Sequence, residues 1–342
     1  MPSPLPTADL DHILAHTEGL WEQVRGERVF LSGGTGFFGH WLVESFLHAN
    51  RELDLKASLT VLSRAPENFL CNAPHLAGCE ALQLLAGDVR SFDFPEGEFA
   101  LVIHAATAAS QKLNDPRQML TTIVDGTARM IAFAQGHGTR QFLLTSSGAV
   151  YGRQPTTLSH VAEDYNGAPD PLDAGTAYGQ GKRLAEHLCA LAARVAPVQY
   201  KIARCFAFVG PHLPLDAHFA VGNFLGDVLA GRPIRIKGDG RPLRSYLYAA
   251  DLAIWLWTIL LKGQPLRAYN VGSEEALSIR ALAEAVQQAL GKPTSVEVMQ
   301  QAAPVPRYVP DTGRARAELG LEAWIDLPEA LRRTARWHGW RG

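Results

Sequence analysis

Residues 29–39 read Val-Phe-Leu-Ser-Gly-Gly-Thr-Gly-Phe-Phe-Gly, an apolar run that ends in a glycine-rich turn. The run is typical of a buried β-strand, and a helix-length segment follows it from about Phe37. Gly33 permits a tight turn, Gly36 lets a phosphate approach the backbone, and Gly39 lets the helix pack against the strand. Because a helix N-terminus offers unpaired N–H groups and partial positive charge, the stretch predicts a site for the pyrophosphate of a dinucleotide.

Strand-like apolar runs alternate with helix-length segments through the first two thirds of the chain. This alternation predicts a parallel sheet covered by helices. The strand candidates are Arg28–Leu31, Leu59–Leu62, Leu82–Leu85, Leu101–His104, Gln141–Thr145 and Tyr200–Cys205. We expect helices to begin near Phe37, Met119 and Ala177, and a further helix to occupy Asp9–Val24 before the first strand.

From about Val209 the alternation gives way to short elements separated by prolines. We therefore predict an α/β protein with the Rossmann fold, a doubly wound parallel sheet with a smaller C-terminal cap that binds the substrate. The expected division is an N-terminal helical extension at 1–27, a dinucleotide-binding domain at 28–208 and mainly cap at 209–342. Residues of about 246–273 are expected to return to the dinucleotide-binding domain.

The 342 residues are 47% hydrophobic and 19% charged, and their formal net charge is −2. This balance gives no electrostatic reason to bind nucleic acid or an anionic membrane. The four cysteines lack the close pairs of a zinc site, so no metal site is predicted. The longest apolar run, Ala253–Leu261, is far shorter than the roughly 20 residues that span a bilayer. Because the N-terminus has no pattern of a secretory signal, we expect a cytoplasmic protein.

The end of the second strand candidate bears on the choice of cofactor. Arg64 follows this strand, where NAD-binding proteins usually place a carboxylate for the ribose 2′-hydroxyl. A guanidinium suits a 2′-phosphate, so NADP(H) is favoured and NAD(H) is the alternative; stacking on adenine or exposure to solvent are other roles for Arg64. The expected cofactor contacts are Gly33, Thr35, Gly36, Phe37, Phe38, Arg64, Asp88, Val89, Ala105, Ala106, Thr107, Tyr178 and Lys182.

Tyr178 and Lys182 are four residues apart, so on a helix they lie on the same face. A free phenol has a pKa of about 10, and a nearby ammonium favours its ionised form. Ser147 follows the fifth strand candidate and can hydrogen-bond a reacting oxygen. A Tyr-x-x-x-Lys pair often occurs by chance, but its position after the glycine turn and Ser147 predicts a site for proton transfer.

With these motifs the chain resembles the extended short-chain dehydrogenases, the NAD-dependent epimerase/dehydratase family that acts on nucleotide sugars. The segments that carry the resemblance are Gly33–Gly39, Gly87–Val89, Ser147–Gly152, Tyr178–Lys182, Gly210-Pro211, Gly238–Gly240, Arg244–Tyr246, Asp251-Leu252 and Tyr269–Gly272. The resemblance implies that Tyr178 is the acid and base, that Lys182 holds the ribose and lowers the tyrosine pKa, and that Ser147 orients a sugar hydroxyl. It also implies a homodimer that pairs through the helices near 119–135 and 178–195.

The same resemblance implies a nucleotide-diphosphate sugar as the ligand of the cap. Arginine suits the diphosphate because its guanidinium binds phosphate in a bidentate manner, although a surface ion pair is the alternative role. The expected substrate contacts are Ser147, Asn223, Arg235, Arg244 and Arg307. Ala207 stands where many relatives have asparagine, so the sugar pocket is expected to be atypical.

The two residues after Ser147 narrow the expected reaction. In the family, 4,6-dehydratases carry an Asp-Glu pair here, decarboxylases carry a glutamate, and 3,5-epimerase/reductases have cysteine in the place of Ala149. Gly148 and Ala149 can act as neither acid nor base. We therefore predict redox chemistry at C4 of the sugar, as in an NDP-sugar 4-epimerase. The alternatives are an NADPH-dependent NDP-4-keto-sugar reductase, less favoured a 4,6-dehydratase, and, in another class, a dinucleotide-binding sensor or scaffold without turnover.

Overall fold

The computed structural model of the protein describes residues 3–106, 115–217, 219–299 and 306–342. The strands in these ranges are β1 Arg28–Ser32, β2 Ser58–Ser63, β3 Leu82–Ala86, β4 Leu101–His104, β5 Gln141–Ser147, β6 Gln199–Cys205, β7 Phe208–Val209, β8 Ile234–Ile236, β9 Leu243–Arg244, β10 Leu247–Tyr248, β11 Ala268–Val271, β12 Leu277–Ser278, β13 Val296–Val298 and β14 Arg307–Tyr308. The helices are α1 Thr7–His16, α2 Phe37–Glu52, α3 Pro66–Asn72, α4 Pro116–Gly136, α5 Ala177–Ala192, α6 Ala220–Leu229, α7 Ala249–Lys262, α8 Ile279–Leu290, α9 Gly313–Leu319 and α10 Leu327–Trp337.

The central sheet has seven strands in the order β3-β2-β1-β4-β5-β6-β11. All of its neighbouring strands are parallel. Its inner strands are continuous apolar runs because helices cover both faces, and Val29, Phe30 and Leu31 of β1 are fully buried. The predicted doubly wound α/β fold is confirmed, and the six predicted strands end within two residues of the observed ones.

The N-terminal segment differs from the predicted helix over Asp9–Val24. The helix α1 ends at His16, and a separate 3₁₀ turn covers Trp21–Gln23. Gly19 between them has a φ of 77°, in the left-handed region that a right-handed helix excludes. The prediction of one continuous helix was therefore wrong, because the spacing of apolar residues does not show the turn at Gly19.

The N-terminal segment packs on the helices α2 and α7. Two polar contacts attach it: Tyr248 donates a hydrogen bond to Asp9 at 2.7 Å, and His12 pairs with Asp251 at 2.9 Å. These contacts connect α1 to β10 and to α7, in the C-terminal half of the chain.

Beyond β6 the chain forms small sheets, in which β7 pairs with β10, β8 with β13, and β9 with both β12 and β14. The helices α6, α8 and α10 pack against one another beside these short strands. By contrast, α7 packs on β5 and β6, and β11 extends the central sheet. The expected domain boundaries at residues 27 and 208 stay predictions. Among the described residues, no helix has the length and apolar character that crossing a membrane requires.

Candidate active site

The glycine turn after β1 is packed too closely for side chains. Gly33 has a φ of 81°, and a Cβ added there would lie 2.5 Å from the carbonyl carbon of Ala105 and from the nitrogen of Ala106. A Cβ added to Gly39 would lie 2.2 Å from the carbonyl carbon of Gly34. The first glycine therefore lets the turn pass the end of β4, and the second lets α2 pack on the turn.

Gly36 differs, since a Cβ added there would meet only the Gly33 oxygen at an ordinary 3.6 Å. It precedes α2, and no side chain caps the N–H groups of the first turn. These amides, including those of Phe37 and Phe38, have no partner within the helix. Thr35 and Gly36 are exposed at this end. The turn therefore offers an accessible set of amide donors, which fits the pyrophosphate of a dinucleotide.

Arg64 and Asp88 lie at the carboxyl ends of β2 and β3, on the same edge of the sheet as the glycine turn. Arg64 is exposed. Asp88 forms two hydrogen bonds with the Arg90 guanidinium, at 2.8 and 3.0 Å, and accepts the Arg90 amide at 2.9 Å. Arg90 is the main cause that holds the pKa of Asp88 below its usual range, and Arg64 adds to it. The Asp88 carboxylate is thus already engaged within its own turn.

The remaining cofactor candidates line the same edge. Val89 is buried, and a Cβ added to Gly126 would lie 2.9 Å from its Cγ1. Ala105 donates its amide to the Ser32 carbonyl at 3.0 Å and continues the line of β4 beside the glycine turn. Ala106 follows it and is partly buried, whereas Thr107 lies outside the described residues.

His104, at the end of β4, is a packed histidine. One ring nitrogen contacts Ser32 Oγ at 2.7 Å and the other contacts Thr127 Oγ1 at 3.1 Å. Burial lowers its pKa to about 3, so the imidazole is neutral. Its two partners orient the ring beneath the cofactor edge.

Ser147, Tyr178 and Lys182, here named the catalytic corner, come from β5 and the first turns of α5. The Lys182 Nζ donates a hydrogen bond to the Thr145 carbonyl at 2.7 Å and lies 5.9 Å from the centroid of the Tyr178 ring. Lys182 is 2% exposed, and burial lowers its pKa to about 8. A backbone contact to β5 thus fixes the ammonium beside the phenol.

Two glycines bring α5 close to this strand end. A Cβ added to Gly179 would lie 2.7 Å from the Ala149 oxygen and 2.9 Å from Pro169 Cγ. A Cβ added to Gly181 would lie 3.1 Å from Ile123 Cδ1 of α4. The glycines beside Tyr178 therefore serve the packing of α5, which sets the position of the phenol relative to the turn after Ser147.

Tyr308, on β14, is a residue of this site that the sequence analysis missed. Its hydroxyl lies 3.3 Å from Ser147 Oγ and donates to the Cys205 carbonyl at 3.3 Å. Ser147 Oγ also accepts the Ala149 amide at 3.1 Å. Burial raises the pKa of Tyr308 well above its usual range, so its phenol stays neutral. The signal in the sequence was its position directly after Arg307, which was singled out.

Arg244 and Arg307 lie on the neighbouring strands β9 and β14, where Tyr308 pairs with Arg244 and Arg307 with Leu243. The Arg244 guanidinium lies 5.7 Å from the centroid of the Tyr308 ring and donates to the Leu243 carbonyl at 2.8 Å. Burial lowers the pKa of Arg244. The structure thus brings both arginines to the strand pair that also carries Tyr308 to Ser147.

The other two substrate candidates have different surroundings. Arg235, on β8, is exposed and lies 3.5 Å from Glu297. Asn223 is half-buried on α6. The observed surroundings of Arg235 match an ordinary surface ion pair.

The turn after Ser147 has no room for a side chain at residue 148. A Cβ added to Gly148 would lie 2.7 Å from two carbons of the Phe206 ring. Glu186, a carboxylate beside β5, accepts a hydrogen bond from Ser146 and pairs with Arg204 at 2.7 Å. An acidic side chain at position 148 would therefore require the Phe206 ring to move. The nearby Glu186 carboxylate is held in its ion pair with Arg204.

The fold and the site together define an NAD(P)-dependent enzyme of the extended short-chain dehydrogenase class. The chain belongs to the NAD-dependent epimerase/dehydratase family, whose model matches residues 29–272. It is 31% identical to UDP-glucuronic acid decarboxylase 1 of Arabidopsis thaliana over 311 residues, which cover 90% of this chain and 68% of that protein. The predicted family and enzyme class are confirmed.

Solved structures share the fold. A UDP-N-acetylglucosamine 4-epimerase from Methanobrevibacter ruminantium superposes with a TM-score of 0.78 and 20% identity, covering 92% of this chain and 98% of that one. A UDP-glucose 4-epimerase from Thermotoga maritima superposes with a TM-score of 0.74 and 20% identity, covering 91% and 98%. At 20% identity, this similarity shows a shared fold.

Proposed function

We propose that the protein inverts C4 of a nucleotide-diphosphate sugar by oxidation and re-reduction. The observation that carries this proposal is the turn after Ser147, where Gly148 packs on Phe206 and Ala149 follows. Neither residue can donate or accept a proton, so the turn offers no group for eliminating water or assisting loss of carbon dioxide. Bound NAD(P) supplies the acceptor and the donor of hydride at the sugar carbon.

Within this proposal, Tyr178 takes the proton of the C4 hydroxyl and later returns a proton to the same oxygen. The Lys182 ammonium, 5.9 Å from the tyrosine ring centroid, stabilises the negative charge on the phenol. Ser147 donates its one proton to the sugar oxygen, so Tyr308 then donates to Ser147 Oγ, 3.3 Å away, in place of the Cys205 carbonyl. The corner therefore moves one proton at one oxygen.

The proposed sugar-nucleotide site extends from this corner to the cap. Arg244 and Arg307 stand on adjacent strands next to Tyr308. Paired residues of neighbouring strands share a face of the sheet, so Arg244 lies on the face of Tyr308, whereas Arg307 starts from the opposite face. We place the diphosphate at the Arg244 guanidinium, which suits phosphate; Arg307, Asn223 and Arg235 stay predictions.

The proposed cofactor is NADP(H) in preference to NAD(H). Arg64 is exposed at the carboxyl end of β2, and the nearby Asp88 is engaged with Arg90. A charge-assisted hydrogen bond to phosphate contributes about 1.5–3 kcal/mol, or roughly 10- to 100-fold in affinity. Arg64→Ser is therefore expected to weaken NADPH binding by about that factor and to leave NADH binding unchanged, as measured by fluorescence titration. Tighter binding of NADH than of NADPH by the unaltered protein would contradict the preference.

A net reduction of a 4-keto sugar by NADPH is the second candidate, and the exposed Arg64 favours it. The same residues serve both reactions, since the reductase performs only the second half of the epimerase cycle. The two candidates differ in whether the cofactor is consumed.

The experiment that tests the proposal is incubation with UDP-glucose, UDP-N-acetylglucosamine, UDP-glucuronic acid and their 4-keto forms, with NAD or NADPH. NMR gives the configuration of the product at C4, and near-ultraviolet absorbance gives the net use of cofactor. An inverted product without net cofactor use supports the epimerase, and stoichiometric use of NADPH supports the reductase. Cofactor binding without sugar-nucleotide binding in calorimetry would instead indicate a sensor or scaffold.

We also propose a homodimer through α5. Leu184 and Leu191 are 41% and 47% exposed, and Leu188 lies between them on the same helix face. The apolar residues of α4 near Met130 are buried within the chain's own core, so the exposed stripe is on α5. Light scattering is expected to give twice the chain mass, and Leu191→Glu is expected to give a monomer. A monomeric unaltered protein would refute this proposal.

A further inference from the structure

Three side chains meet between α2 and the segment that follows β7. His40 and Glu44 are one turn apart on α2, and His212 follows Gly210-Pro211 after β7. One donor atom from each lies within 4.8 Å of the donor atoms of the other two. We name these three residues the histidine cluster.

The cluster is buried, and one polar atom of each of its residues lacks a partner. His40 and Glu44 are 7% and 5% exposed, and the side chain of His212 is 7% exposed. His40 Nδ1, Glu44 Oε1 and His212 Nε2 have no hydrogen-bond partner. The separation between His212 Nε2 and Glu44 Oε1 is 3.7 Å, too long for a hydrogen bond. Three unpaired polar atoms in one buried place require an explanation, because each carries a desolvation cost.

The surroundings orient the Glu44 carboxylate. Its second oxygen accepts the Leu5 amide at 2.8 Å and lies 3.3 Å from His75 Nε2, which leaves Oε1 directed toward His212. The His40 and His212 rings stack face to face, 3.8 Å between centroids and 5° from parallel, so one ring has to turn out of this stack before both can bind one ion. His212 has a φ of 68°, a conformation that disfavours residues with a Cβ. The carboxylate is therefore oriented by partners outside the cluster, as metal-binding carboxylates usually are.

Two features suit a metal ion. Phe69 packs on His40 and Trp337 on His212, so aromatic rings form an apolar shell. An open pocket is lined by Glu44 and His75 but by neither His40 nor His212, so an ion from solvent has to pass the Glu44 carboxylate.

We propose that His40, Glu44 and His212 bind one divalent transition metal, with the chemistry of a zinc site, and that a water from the pocket completes the coordination. Two imidazole nitrogens and one carboxylate oxygen are a ligand set that zinc uses in proteins. Zn–N bonds are about 2.0–2.1 Å long and lie in the imidazole plane, so binding requires the stacked His40 and His212 rings to separate and turn toward the ion. Such an ion would link the first turns of α2 to the segment that follows β7.

The test uses the full chain, prepared without a histidine tag, stripped of metal with a chelator and then titrated with Zn²⁺. We expect one equivalent to bind per chain and the melting temperature to rise, because a ligand that binds only the folded state stabilises it. Co²⁺ should bind in competition with Zn²⁺ and give the strong visible bands of a tetrahedral site. Binding of no zinc by the unaltered protein would overturn the proposal.

Two variants locate the ion. Glu44→Gln keeps the shape of the side chain, and His212→Asn keeps a residue that tolerates the left-handed backbone. Each should weaken zinc binding by more than roughly 100-fold. Loss of a residue that only orients a metal ligand already costs up to about 100-fold, and loss of the ligand itself should cost more. His16→Gln is the matched control, since this histidine is exposed on α1. Zinc affinity in both variants equal to that of the control would overturn the assignment, and if one variant fails to fold, the other decides.

Discussion

The catalytic corner and the histidine cluster are both buried groups of polar side chains, and they differ in how their atoms are paired. In the corner, Lys182 is bonded to Thr145, and Ser147 to Ala149 and Tyr308. In the cluster, one atom each of His40, Glu44 and His212 is unpaired. The corner is thus positioned before any ligand arrives, whereas the cluster is completed only by a ligand.

The largest expected effect comes from the corner. Tyr178→Phe removes the only atom that we assign to proton transfer, so turnover should fall by about 10²- to 10⁴-fold. The change keeps the ring and its packing on α5, so the melting temperature should be nearly unchanged. Product formation measured by NMR against time checks this, and full activity in the variant would refute the role of the phenol.

Tyr308→Phe is expected to have a smaller effect on the same reaction. It leaves Ser147 without the hydroxyl that lies 3.3 Å from its Oγ, so the serine is less well oriented. A hydrogen bond of this kind contributes about 1 kcal/mol, so kcat should fall roughly 5- to 10-fold. Tyr165→Phe, also partly buried, is a control that should retain full kcat. An unchanged kcat in Tyr308→Phe would remove this residue from the site.

The smallest expected effect tests the cluster without measuring any reaction. In zinc-free protein, His40→Leu removes a buried nitrogen that has no partner, so the free energy of unfolding should rise by about 1 kcal/mol. With zinc present, the order should reverse because the variant lacks a ligand. Urea unfolding in chelator and in zinc gives both values. A variant less stable in chelator would show that the unpaired atoms carry no cost.

The strands and helices of the nucleotide-binding half could be predicted from the sequence because the patterns that indicate them span only a few residues each. The glycines of residues 33–39 and the apolar strand runs each act within a few residues, and the sheet confirmed the fold they predicted. The predicted helix over Asp9–Val24 failed because a single residue, Gly19, reverses the backbone. The local sequence patterns therefore predicted which strands and helices form, whereas single turn residues decide where they end.

The contacts that sequence reasoning missed join distant parts of the chain. Tyr308 reaches Ser147 across 161 positions through the pairing of β14 with β9. In the histidine cluster, His40 and Glu44 are four residues apart, whereas His212 comes from beyond β7. The lack of close cysteine pairs led to the prediction of no metal site, and spacing between sequence neighbours cannot show ligands that the fold brings together. Residues that the strand order brings together can be identified only once that order is known.

The proposed 4-epimerase reaction changes the configuration of one sugar carbon and removes no group from the substrate. Mass spectrometry and NMR of the product from UDP-glucose, UDP-N-acetylglucosamine and UDP-glucuronic acid test this proposal. We expect a product of the same mass as its substrate and inverted at C4, which Tyr178→Phe forms about 10²- to 10⁴-fold more slowly. A product that has lost water or carbon dioxide would contradict it, because the glycine and alanine after Ser147 provide no group for either step.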